Sequence, residues 1–298
     1  MSQGPISGNF INLPPVFIIG NPRSGTTLLR LMLTCHLEVV IPPEGAFMLQ
    51  LYRRYGWRPL LRGQLRAFVG RVLAAEKMKF WNLDAADLTC FLLHTGARSY
   101  HDLVAGVYRF YAQRQKPACR LWGDKNNFHL NHIPKIHRLF PAARFLHIVR
   151  DGRDVACSYI SLQDVRGHYA PNLPQIVAGA AQQWHTNLAK IETDLQRISS
   201  DQHFTFRYED LVIYPEKTLG DICSFLGLEF DAAMLNFAEE NRKLNLEPQE
   251  FSRWKQLNRE NLTQSQIGRW KSELTPWQVE SFNQIAGETL ERYQYIEG

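Results

Sequence analysis

Short apolar runs alternate with longer stretches of helical spacing along this chain. "VFIIG" (residues 16–20), "CRLWGDK" (119–125), "ARFLHIV" (143–149) and "HFTFRYEDL" (203–211) read as strands, each closing on polar residues. Between them the apolar positions return every three or four residues. "TTLLRLMLTCH" (26–36) is dense enough in leucine to pack under a sheet, and "VACSYISLQ" (155–163) follows the turn "RDGRD" as a helix. Longer helices are expected from Pro174 to about Ser199 and from Pro276 to about Tyr293, and roughly Gly45 to Gln115 reads as several helices rich in Arg, Tyr, Leu and Trp. No internal repeat is present. Strands alternating with helices predict an α/β fold with a central parallel sheet flanked by helices, in one domain over residues 1–298.

Composition narrows the class. Apolar residues make up 45% and charged residues 21%, ordinary values for a folded domain, and no run approaches the length of a membrane span. The first twenty residues lack a basic region before their apolar run and read as a lead-in to the first strand, not a signal peptide. Cys35, Cys90, Cys119, Cys157 and Cys223 are scattered and odd in number, with no C-x-x-C pair, which fits a reducing, cytoplasmic location. The formal charge of +5 is spread along the chain; it suits an anionic small ligand and gives no ground for a nucleic-acid partner.

Candidate chemistry begins at "FIIGNPRSGTT" (17–27). A strand, then Gly20 and Gly25 in Gly-x-x-x-x-Gly spacing, then a helix, directs backbone N–H groups into a concavity at a helix N-terminus, where an anion is favoured. Thr26 stands where a triphosphate-binding loop carries lysine, and the basic group lies inside the loop as Arg23. Ser24, Thr26 and Thr27 add hydroxyl donors.

"PRSGTT" after an apolar strand resembles the 5′-phosphosulfate loop of sulfotransferases that use 3′-phosphoadenosine 5′-phosphosulfate (PAPS). The second half of that family's signature, a strand-end arginine and a serine eight residues on, is matched by Arg150 and Ser158 in "FLHIVRDGRDVACSYI". The resemblance implies a P-loop-type three-layer fold, with PAPS as co-substrate and no metal. It also implies that Arg150 and Ser158 hold the 3′-phosphate, that Tyr208 in "FRYEDL" lies near the adenine, and that Arg269 in "IGRWKSELTP" reaches the 3′-phosphate side, with Lys271 as a weaker candidate. The polar stretch at about 254–270 is a candidate lid, and the helical insertion at about 45–115 is expected over the acceptor site.

Sulfuryl transfer needs a deprotonated acceptor hydroxyl and charge stabilisation on the leaving oxygen. A sulfuryl group carries less negative charge than a terminal phosphoryl, so arginine, lysine and backbone N–H groups can stand in for Mg²⁺. Lys125 in "GDKNNFH" matches the family's lysine at the bridging oxygen, and Asp124 is placed to orient it. Glu44, after Pro42 and Pro43, matches the glutamate base of the branch that includes tyrosylprotein sulfotransferases. Cytosolic sulfotransferases carry a catalytic histidine two residues after the lysine, where this chain has Asn127; His129 remains the alternative base. His129, His132 and His137 have no acidic partner at metal spacing. Catalysis is thus assigned to Glu44, Lys125 and Arg23, and donor binding to Arg23, Ser24, Gly25, Thr26, Thr27, Arg150, Ser158, Tyr208 and Arg269. The acceptor is left as a small-molecule, carbohydrate, lipid or peptide hydroxyl, and oligomeric state is not readable. A P-loop small-molecule kinase and a non-catalytic nucleotide-binding module are the competing readings.

Overall fold

The computed structural model describes residues 12–162, 173–244, 246 and 262–296. Five strands, β1 (Val16–Ile19), β2 (Val39–Val40), β3 (Leu121–Lys125), β4 (Arg144–Val149) and β5 (His203–Arg207), form one sheet in the order β2-β3-β1-β4-β5. Every pairing is parallel. β1 shows why the sheet is buried on both sides. Val16 and Ile18 enter one apolar cluster and Phe17 and Ile19 the other, as the two-residue strand period requires.

Helix α1 (Thr26–Cys35) follows β1 directly. Between β2 and β3 come α2 (Phe47–Gln50), α3 (Tyr52–Tyr55), α4 (Leu65–Leu73), α5 (Ala85–His94) and α6 (Tyr100–Gln115). Helices α7 (Ile133–Leu139), α8 (Gly152–Ile160), α9 (Val177–Leu195), α10 (Tyr208–Ile213), α11 (Pro215–Leu226) and α12 (Phe237–Leu244) come next. α13 (Trp270–Glu273) and α14 (Pro276–Arg292) close the described chain. Side-chain caps start several of them: Asp84 accepts from Ala86 N at 2.8 Å at α5, Ser99 from Asp102 N at 3.1 Å at α6, and Thr275 caps α14 with Pro276 following. In α4, Leu65, Phe68, Val69 and Val72 recur at helical spacing and are all buried, which fixes the face the insertion presents to the core.

Two elements differ from expectation, and one expected segment lies partly outside the described residues. "HFTFRYEDL" is a strand only to Arg207; Tyr208 opens α10, whose first turn carries Glu209 and Asp210, acids that suit a helix N-terminus. β2, a two-residue strand, was not expected. Within the stretch at 254–270, residues 254–261 lie outside the described residues; the remainder holds a 3₁₀ turn, Gln264–Gln266, and the start of α13.

The chain leaves β1 toward β2 and leaves β4 toward β5, in opposite directions along the sheet. The C-terminal ends of β1 and β4 therefore flank a crevice at the topological switch point, where open α/β sheets receive ligands. The loop 20–25 and Arg150 lie at those two ends, and Lys125 ends β3 on the other side of β1.

Candidate active site

The loop after β1 is set by two residues in left-handed backbone conformation, Arg23 at φ 71° and Gly25 at φ 93°. At Gly25 a side chain is excluded twice over: by that φ, and because a Cβ would lie 2.5 Å from Cδ2 of Tyr208. Gly25 starts α1 without a capping side chain, and the first turn has no acid, so the helix's N–H groups remain available to an anion. Ser24 is fully buried, and its Oγ has no hydrogen-bond partner. Thr26 is buried and Thr27 half-buried beside it.

The underside of the loop is tied by residues that the sequence motifs did not point to. Asn21 Nδ2 donates to Tyr159 Oη at 3.0 Å and to Pro22 O at 2.9 Å, and Asn187 Nδ2 donates to Asn21 Oδ1 at 2.8 Å. Tyr159 comes from α8 and Asn187 from α9, so two helices hold one loop. A buried asparagine with several bonds is costly to replace because each partner would be left unpaired.

Arg23 and Arg150 converge. Arg23 Nε donates to Ser158 Oγ at 2.9 Å, and Arg150 Nη1 donates to Arg23 O at 3.2 Å. Arg150 Nη2 donates to Gln266 O at 2.5 Å, its guanidinium carbon stands 4.6 Å from the centre of the Tyr208 ring, and its buried Nε is unpartnered. Neither Asp151 nor Asp154 pairs with Arg150. Asp151 takes Arg153 in a bidentate pair at 3.0 and 2.8 Å, and Asp154 accepts from Gly268 N at 2.8 Å and Trp270 N at 3.1 Å. Burial, then the neighbouring Arg150, lowers the Arg23 guanidinium to about 10. Two cations held together with no carboxylate paired to either among the described residues form a ready site for a multiply charged anion.

Tyr208 is buried against Gly25 and beneath Arg150, supporting the loop from below. Arg269 is half-buried and committed to Glu273 at 2.8 and 3.0 Å and to Gln266 Oε1 at 2.8 Å. Its segment is brought to the crevice by the Asp154 bonds to Gly268 and Trp270, a link no motif signalled. Lys271 is exposed.

On the β3 side, Lys125 has a side chain only 2% exposed and forms an ion pair with Glu44 Oε1. The other oxygen of Glu44 pairs with Lys77 Nζ at 2.7 Å. Glu44 follows β2 by four residues, and its side chain is 14% exposed, so the carboxylate is gripped by the sheet on one side and the helical insertion on the other. Lys77 sits at φ 66° between α4 and the turn Met78–Trp81. Asp124 does not contact Lys125; it is buried among Tyr108 Oη at 2.6 Å, Asn126 Nδ2 at 2.9 Å and the ring of His129, whose Nε2 lies 3.3 Å away. His129 is itself wholly buried, edge-on to Phe17.

Comparison with known proteins agrees with this geometry. A model described as the sulfotransferase family matches residues 14–232. The chain is 28% identical over 228 residues to protein-tyrosine sulfotransferase 2 of Gallus gallus, covering 76% of this chain and 54% of that one. Over 234 residues it is 29% identical to the protein-tyrosine sulfotransferase of Drosophila melanogaster, covering 78% and 42%. The chain thus spans about half the length of these relatives. Among solved structures, the sulfotransferase domain from the Synechococcus PCC 7002 olefin synthase superposes with a TM-score of 0.62 at 26% identity, covering 97% of this chain and 98% of that one. The sulfotransferase domain from the curacin biosynthetic pathway shares the fold, with a TM-score of 0.58 at 23% identity and coverage of 93% and 98%. With the family model matching well over half of its length, and with the loop, Arg150 and Ser158 meeting at one crevice, this chain belongs to the sulfotransferase family.

Proposed function

We propose that the protein transfers a sulfuryl group from PAPS to an acceptor hydroxyl. The observation that carries this reading is the convergence of Arg23 and Arg150, neither in an ion pair with a carboxylate among the described residues, at a loop that also holds the buried hydroxyl of Ser24 and an uncapped helix start. A donor with a 5′-phosphosulfate and a 3′-phosphate supplies the anionic groups that such a site lacks.

PAPS brings an activated sulfuryl group on a good leaving nucleotide; the remaining roles fall to the chain. Ser24, Thr26, Thr27 and the N–H groups at Gly25 hold the 5′ end, with Arg23 neutralising it. Arg150 and Ser158, with the segment of Arg269 beside them, hold the 3′-phosphate, and Tyr208 keeps loop and arginine in register from below. Glu44 takes the acceptor proton as the hydroxyl oxygen bonds to sulfur, and the sulfur–oxygen bond to the nucleotide breaks. The electron pair remains on that oxygen, where Lys125 offsets the new charge; the products are a sulfate ester and 3′-phosphoadenosine 5′-phosphate. Glu44, the partner of Lys125, is preferred as the base over His129, which is wholly buried between Phe17 and Asp124.

The relatives named for protein tyrosine, whose side chain carries a hydroxyl, support a hydroxyl acceptor. Calorimetric titration provides the test. Binding of 3′-phosphoadenosine 5′-phosphate and no binding of ATP·Mg²⁺ is expected; tight ATP·Mg²⁺ binding without the bisphosphate would replace this reading with a kinase. Transfer of label from PAPS to a panel of phenols, alcohols and tyrosyl peptides then separates an enzyme from a binding module.

A further inference from the structure

Residues 45–75 contain six arginines and no aspartate or glutamate. In a chain with 29 acidic residues among 298, such a stretch is a local excess of positive charge that the overall +5 conceals. The fold turns it outward. Leu65, Phe68, Val69 and Val72 bury one face of α4, leaving Arg66 and Arg71 in solvent. Ahead of α4, Arg53, Arg54, Arg58 and Arg62 are all exposed. Leu60 N donates to Arg98 O at 2.9 Å, which brings the exposed Arg98 from the α5–α6 connection to the same place. None of these arginines is in an ion pair with a carboxylate among the described residues.

Set among them are two large apolar side chains with little cover. Trp57 is 74% exposed and Leu61 71% exposed, four residues apart on the connection between α3 and α4. Tyr52, buried behind them, touches the Trp57 ring edge-on at 5.9 Å and anchors its base.

We propose that this face docks on an anionic lipid surface. Arginine forks match lipid phosphates, and a tryptophan and a leucine at a protruding connection enter the boundary between headgroups and acyl chains. An acidic polypeptide would satisfy the arginines and leave Trp57 and Leu61 in water, whereas an anionic bilayer takes both. The contact proposed is made through this surface; no described helix is long and apolar enough to cross a membrane.

Co-sedimentation of the whole chain with phospholipid vesicles tests this without any donor present, so its outcome is independent of the proposed reaction. Partition onto vesicles with about a third phosphatidylserine is expected to exceed that onto pure phosphatidylcholine by about tenfold or more and to weaken with salt. Two variants act through different terms. W57S/L61S lowers partition by about tenfold while keeping its salt dependence, and R58E/R62E removes the preference for phosphatidylserine. Arg58, Arg62 and Leu61 are exposed and Trp57 touches the fold mainly through Tyr52, so both variants are expected to melt within a few degrees of wild type. Equal binding to both vesicle types, or partition unchanged in either variant, overturns the proposal. Binding of soluble poly-glutamate with no vesicle uptake overturns it in favour of an acidic polypeptide.

Discussion

Arg23 and Ser158, 135 positions apart in the chain, are joined by a 2.9 Å hydrogen bond from Nε to Oγ. The two halves of the sequence signature therefore interlock directly. Ser158 aims the guanidinium while Arg150 holds the same residue's carbonyl, so the left-handed backbone at Arg23 is braced from both ends. Preorganised donors of this kind cost no rearrangement during reaction.

Removing the bond should separate aim from charge. Ser158→Ala is expected to weaken 3′-phosphoadenosine 5′-phosphate binding by about tenfold, the cost of one hydrogen bond to a charged group. Arg23→Ala should lower kcat/KM for PAPS by about 10² to 10³, as loss of a charge-stabilising donor does. Calorimetry and initial rates measure the two. An Arg23→Ala enzyme with wild-type turnover would sink the assignment of the loop.

The pair Glu44 and Lys125 makes a different prediction, because both act at the reacting centre. Glu44→Gln keeps the side-chain shape and one of the two acceptor oxygens that the lysines use, but cannot accept the proton, so kcat should fall by about 10² to 10⁴ with bisphosphate affinity retained. Lys125→Ala should also lower kcat, and it removes one of the two lysines that pair with Glu44 among the described residues. If the glutamine variant turned over at the wild-type rate, the base would lie elsewhere.

Lys77 is a positioning residue in this arrangement. It fixes Glu44 Oε2 from the insertion, at 2.7 Å, and its side chain is 30% exposed where that of Lys125 is sealed. Lys77→Ala should lower kcat by about tenfold with the KM for PAPS nearly unchanged, and Lys77→Arg should restore most of the loss. A merely structural lysine would instead lower the melting temperature without this split, which a thermal melt alongside the kinetics would show.

What was legible in the sequence follows the range of the forces involved. The strand β4, the loop at Gly20 to Gly25 and the pair Arg150 and Ser158 are local patterns with local causes: apolar alternation, a glycine at positive φ and two donors two helical turns apart. Lys77 carries no motif, and its contact with Glu44 depends on how the segment after α4 returns to the segment after β2, where Ala46 N donates to Glu76 O at 3.2 Å. Asn187 reaches Asn21 across 166 positions for the same reason. Tyr208 was legible as a candidate from "FRYEDL", but its place against Gly25 depends on α10 starting where a strand was expected to continue.

Acid stability should carry the signature of His147. Its ring is buried in β4 with Nδ1 3.3 Å from Thr205 Oγ1, and burial, aided by the nearby His203, lowers it from 6.5 to about 3. As pH falls below about 6.5 the unfolded histidine takes up a proton and the folded one does not, so the unfolded state binds more protons and stability declines. The decline approaches about 1.4 kcal/mol per pH unit until the folded ring itself titrates. His147→Asn removes the titrating group and keeps an acceptor near Thr205. The variant should be less stable than wild type at neutral pH, and the gap should narrow steadily toward about pH 4. Urea unfolding across that range measures both curves, and a gap independent of pH would assign the acid sensitivity to other groups.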